Sequence, residues 1–148
     1  MIDLVVLAVG NEARGDDALG PRLLARLDEL ALPGVRTVLD FQFQVEHALD
    51  LDGAGAALFI DAHCDQSAPC ELSALEPASR VGAASHALAP GEVLAVRRSI
   101  GQALPPAWLL SLRGVRFELG EGLSATGESS LEAGWRALRG FLKERGLL

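Results

Sequence analysis

Six consecutive apolar residues, Leu4–Val9 (LVVLAV), lie near the start of the chain and stop at Gly10. The run is too short for an ordinary buried helix, and its valines favour a strand covered on both faces. Such a strand belongs to a parallel sheet, which requires a crossover, usually a helix, before the next strand. The sequence supplies one. Leu19, Leu23, Leu24, Leu27 and Leu30 recur at helical spacing, Asp16 and Asp17 stand where a helix cap is wanted, and Pro33-Gly34 closes the segment. Residues 35–39 then read as a second short strand, Val45–Leu51 as a helix, and residues 56–60 (AALFI) as a third buried strand ending at Asp61. Strand, helix, strand, helix, strand implies right-handed crossovers. The predicted fold is a single three-layer α/β/α domain, with a mostly parallel twisted sheet and helices on both faces.

The second half is less regular. Residues 71–75 alternate polar and apolar and predict an edge strand. A helix is expected from Pro90 to about residue 100, with Val93, Leu94 and Val96 inward. Residues 108–112 (WLLSL) read as another buried strand, and residues 128–142 as a long helix with Leu131, Trp135, Leu138 and Leu142 at helical spacing. The 148 residues, 49% of them hydrophobic, suit one domain with a sizeable core, here taken as residues 1–148.

Charge narrows the partners. With 13 Lys+Arg against 20 Asp+Glu, the formal charge is −7. That balance argues against nucleic acid, which needs a basic face, and against an anionic membrane surface. No apolar stretch approaches the roughly 20 residues of a membrane span. The start, MIDLVVLAVG, has no basic region ahead of its apolar run, so it does not read as a signal peptide. Cys64 and Cys70 match neither a CxxC redox pair nor a zinc knuckle, and reduced thiols in the cytoplasm are expected.

In an open parallel sheet, ligands bind beyond the carboxyl ends of the strands, where the strand order reverses. Three segments carry polar residues to that end. The loop after the first strand has Asn11, Glu12, Arg14, Asp16 and Asp17; the third strand ends in Asp61, His63 and Cys64; and Ser85-His86 precedes the Pro90 helix. Carboxylates converging at strand ends repel unless a cation or a shared proton relieves them. With an imidazole added, the donor set suits a divalent transition metal better than magnesium or calcium. Each residue also has an ordinary reading: Asp16 as a helix cap, Asp61 as a turn former, His86 as an exposed loop histidine, His47 as a surface or packing residue. The loop GNEARG is no dinucleotide fingerprint, because Glu12 stands where the middle glycine is required.

Four segments together resemble the [NiFe]-hydrogenase maturation endopeptidases. VLAVGNEARGDDALGPRLLARL resembles their opening motif, FIDAH their second, SHALAPGEVLA their third, and GVRFELGEGLSA their late turn before the last helix. The resemblance implies an endopeptidase that removes a C-terminal extension from the precursor of a hydrogenase large subunit after nickel insertion. By residue, it implies Asp17, Asp61 and His86 as nickel ligands, with Asp17 where the family often has Glu. It further implies nickel brought by the substrate rather than held permanently, with Asp17 and Asp61 as candidate catalytic carboxylates. DFQFQVEHAL also resembles the subgroup serving NAD-linked bidirectional hydrogenases. A non-enzymatic nickel-sensing adaptor or metal chaperone is the alternative from another class, and a small zinc hydrolase a third. Arg14 is open to either clamping substrate or pairing with Asp16 or Asp17. Glu118 and Glu121 read as solvated acids, or as a face for a basic part of the precursor.

Overall fold

The computed structural model describes residues 2–82 and 87–148. The sheet is built from β1 (Leu4–Val9), β2 (Val35–Asp40), β3 (Ala57–His63), β4 (Cys70–Ala74) and β5 (Ala107–Arg113). Its spatial order is β2-β1-β3-β5-β4. Four strands run parallel and β4 alone pairs antiparallel, with β5. All six residues of β1 are buried, as an unbroken apolar run requires of a central parallel strand.

The helices divide unequally between the two faces. α1 (Leu19–Glu29) and α3 (Ala125–Glu144) cover one face, closing a core that includes Leu23, Leu27, Leu58, Leu112, Leu131 and Leu138. The other face carries only α2 (Pro90–Ser99) and a 3-10 segment, Val45–Leu51, over a second core with Val5, Phe43, Phe59 and Leu94. The three-layer expectation therefore holds, with one layer thick and one thin.

Several local expectations are refined. Val45–Leu51 is helical over the expected span, in the tighter 3-10 form, and at its start His47 Nδ1 accepts the Gln44 N–H at 2.8 Å. β3 runs on to His63, so Asp61 sits within the strand, in register with Ser111, and not in a turn after it. The edge strand is confirmed as β4. The final helix begins at Ala125, three residues earlier than its apolar spacing suggests, because Ser124 caps it and accepts the Gly127 N–H at 2.9 Å. Among the described residues no helix is long and apolar enough to cross a membrane.

The strand order fixes where a site can form. From β1 the chain crosses to β2 on one side, whereas β3 lies on the other side of β1. That reversal opens a crevice beyond the carboxyl ends of β1 and β3. Gly10 sits at its base with φ +146°, and an added Cβ would stand 1.9 Å from the Asp17 carbonyl oxygen. Only glycine lets the loop fold back so closely on its own next turn.

Candidate active site

Asp17 reaches the crevice from a short 3-10 turn, Gly15–Ala18, that leads into α1. Its carboxylate is half-buried, and Oδ2 accepts the Asn11 N–H at 2.8 Å. The loop Asn11–Asp17 thus closes on itself, and this bond fixes one oxygen of the acid.

Asp61 is also half-buried, at the end of β3. Burial is the main cause that pushes its carboxyl up from 3.8 to about 6, and the nearby charge of Asp17 pushes the same way. A hydrogen bond from the Ala62 backbone and the charge of His63 oppose the rise without cancelling it. The fold has therefore placed two carboxylates within electrostatic reach of one another. Among the described residues no Lys or Arg forms an ion pair with either. Such a pair is eased by a proton or by a cation from outside, and hard or borderline divalent metals suit oxygen donors of this kind.

His86, the third residue expected at this site, lies outside the described residues. Its flanks do not. Glu92, in the first turn of α2, accepts the Ala89 N–H on Oε1 and the Gly82 N–H on Oε2, both at 2.8 Å. One carboxylate thereby ties together the two sides of the interval that contains His86. The Leu88 N–H adds a bond to the Phe43 carbonyl at 2.9 Å, securing the same stretch to the thin layer. Among the described residues alone, no three His, Cys, Asp or Glu side chains form a cluster able to hold a metal.

Asp16 corrects its sequence reading. It makes no capping bond to the helix that follows. Instead it is fully buried and accepts four hydrogen bonds from the loop after β5: Val115 N–H at 2.8 Å, Arg116 N–H at 3.1 Å, Ser124 N–H at 2.8 Å and Ser124 Oγ–H at 2.6 Å. Burial alone would raise its pKa, but the donors from Ser124, Val115 and Arg116 outweigh that and hold it below the ordinary aspartate value. Gly127 leaves room for this carboxylate, since a Cβ there would meet Asp16 Oδ1 at 2.2 Å. Adjacent acids thus do different work: Asp16 builds the wall, and Asp17 faces the crevice.

The remaining candidates, apart from the charge of His63 on Asp61, have other roles or none. His63 is exposed and spends Nδ1 on the Asp65 N–H at 3.0 Å. Cys64 is exposed, and burial pushes the Cys70 thiol up, away from thiolate chemistry. His47 is buried, which selects packing over the surface alternative, and its Nε2 lies 3.2 Å from Asp40 Oδ2. Arg14 is exposed and pairs with neither Asp16 nor Asp17. Glu118 and Glu121 are exposed. Sequence reasoning overlooked Glu92, although Glu at the third position of a helix opening with Pro90 is a capping-box signal.

No protein-family model and no curated protein matches the sequence. Solved structures do match its fold. The hydrogenase maturating endopeptidase HybD from E. coli superposes with a TM-score of 0.75 at 20% identity, over 98% of this chain and 94% of that one. The [NiFe] hydrogenase maturation protease HycI from Thermococcus kodakarensis KOD1 gives 0.70 at 23% identity, over 95% and 92%. The hydrogenase 2 maturation peptidase from Thaumarchaeota archaeon SCGC_AB-539-E09 gives 0.68 at 24% identity, over 99% of both chains. Over nearly its whole length, this chain has the fold of the hydrogenase maturation endopeptidases.

Proposed function

We propose that the protein is an endopeptidase that removes a C-terminal extension from the nickel-loaded precursor of a [NiFe]-hydrogenase large subunit. The observation that carries this reading is the electrostatically coupled, half-buried pair Asp17 and Asp61, with which no Lys or Arg among the described residues forms an ion pair, at the strand-order reversal of a maturation-endopeptidase fold. Nickel arrives as part of the substrate. Asp17 and Asp61, joined by His86, bind it and so hold the adjoining peptide against the crevice. Precursor lacking nickel presents nothing for these ligands and is left uncut.

Hydrolysis then needs a base. A carboxylate held beside the scissile bond can take a proton from the attacking water. In this reading the Asp17–Asp61 pair accepts that proton as the water attacks the scissile carbonyl, and the proton passes to the leaving amine. Asp17 is a methylene shorter than Glu, and the Asn11 N–H compensates by fixing its direction. In this reading the protein works in the cytoplasm, and the resemblance of its DFQFQVEHAL segment to the subgroup serving NAD-linked bidirectional hydrogenases supports a substrate of that class.

Incubation with nickel-loaded and nickel-free precursor, read by intact mass, tests the reading. Loss of a C-terminal peptide from the loaded form alone is expected. Equal cleavage of both forms removes the nickel requirement, and binding without cleavage makes the protein an adaptor.

A further inference from the structure

A cleft of about 470 Å³ opens between the carboxyl ends of β1 and β2, next to the loop that carries Asp17. Gly10, Asn11 and Glu12 form one wall, Pro21 is at its base, and Leu39 and Phe41 form the other wall. Phe41 is 72% exposed and Leu39 53% exposed, an unusual outlay of apolar surface beside a polar site.

The posture of Phe41 is built. Asp40 Oδ1 accepts the Phe41 N–H at 2.8 Å, while Asp40 Oδ2 faces Nε2 of the buried His47. His47 is itself fixed by the Gln44 N–H and lies edge-on to Phe43, which packs on Phe59 in the core. A chain of contacts from the core thus anchors the backbone from which the exposed Phe41 side chain projects. The cleft also shares a residue with the candidate site, since Asn11 lines the one and donates its N–H to Asp17 in the other. Charge is one-sided: Glu12 and Asp40 line the cleft, and no Lys or Arg does.

We propose that this cleft receives the peptide segment adjoining the scissile bond, an extended stretch presenting a large apolar side chain to Leu39 and Phe41 and a neighbouring cation to Glu12. The proposal rests on the endopeptidase reading above. The volume lies within the range of about 300–1,000 Å³ typical of small-ligand clefts, enough for side chains and too little for a folded element. An acidic rim around an apolar wall selects such a segment by attraction and rejects acidic ones by repulsion.

Two blocked tetrapeptides, Gly-Leu-Arg-Gly and Gly-Ser-Glu-Gly, serve as probes in amide chemical-shift titrations. The apolar-cationic peptide is expected to shift the amides of Gly10, Asn11 and Phe41, and the acidic one to leave them unmoved. Phe41→Ser should abolish the response, and Glu12→Gln should weaken it selectively for the arginine peptide. With nickel-loaded precursor, Phe41→Ser should raise KM about tenfold while kcat stays within about twofold. Equal shifts from both peptides, or none at these amides, overturn the proposal. So does concentration-dependent dimerisation abolished by Phe41→Ser without a peptide response, which would make the face a contact between copies. Peptide shifts alongside an uncut precursor would retain the cleft and remove only the endopeptidase reading.

Discussion

Ser124 donates to Asp16 twice, from its backbone N–H at 2.8 Å and from its hydroxyl at 2.6 Å, across 108 positions of sequence. The same hydroxyl accepts from Gly127 and starts α3. The loop after β1, the loop after β5 and the last helix therefore meet at one buried carboxylate. Asp16→Ala would strand several of its backbone donors, and a loss of about 3 kcal/mol in urea unfolding is expected. Ser124→Ala should cost less, about 1–2 kcal/mol, chiefly as a lost cap. Because the folded-state pKa of Asp16 is lowered, its contribution is present above the ordinary aspartate value and fades as pH falls through the lowered one. Asp16→Asn should accordingly flatten the acid limb of the stability profile, and an unchanged limb would remove Asp16 as its source.

Asp61 carries the opposite sign. Its folded pKa of about 6 exceeds the ordinary 3.8, so the folded state holds the proton more tightly than the unfolded one. Stability from this group falls as pH rises from about 4 to 6 and stays flat above. Asp61→Asn should thus stabilise the metal-free protein at pH 7.5, by up to about 3 kcal/mol, while abolishing precursor processing. At pH 4 the gain should vanish. Thermal melts at both pH values check this, and an equal gain at each would mean that charge burial is not its cause.

Glu92 offers a separable test of positioning. Glu92→Ala frees the Gly82 and Ala89 amides, whose hydrogen exchange should accelerate. Processing of nickel-loaded precursor should slow about tenfold, since small displacements of a ligand-bearing segment are costly. Global stability should fall by only about 1 kcal/mol. Normal processing with fast exchange at both amides would dissociate this anchor from function.

Cys64 lies exposed at the same end of the sheet and is the obvious thiol suspect. In the carboxylate reading it does nothing. Cys64→Ser and alkylated protein should both cleave precursor within about twofold of the parent rate. Loss of cleavage in both would shift the chemistry to a thiol.

The buried strands were readable because a parallel sheet covered on both sides demands continuous apolar runs, and LVVLAV and AALFI are such runs. Asp17 and Asp61 were placed at strand ends by the same logic. What local pattern could not convey is reach. Asp16 looks like a helix cap from its neighbours, and its actual donors begin 99 positions away. The extension of β3 through Asp61 to His63 likewise depends on β5 offering partners as far as Arg113. Val45–Leu51 was legible as a helix, but its tighter 3-10 form was not.

The unequal covering of the sheet divides the molecule into a part that sets its shape and a part that can be revised. α1 and α3 lock one face through an extensive leucine core, and a change there spreads into the whole fold. On the other face, ten residues of α2 and one 3-10 segment carry the stretches that flank Phe41 and His86. Those stretches combine a few buried anchors, Phe43 and Leu88, with hydrogen bonds from His47, Asp40 and Glu92. In the proposed reading, new substrate preferences can therefore arise by exchanging side chains on the thin face, without reworking the turn and the strand that carry Asp17 and Asp61.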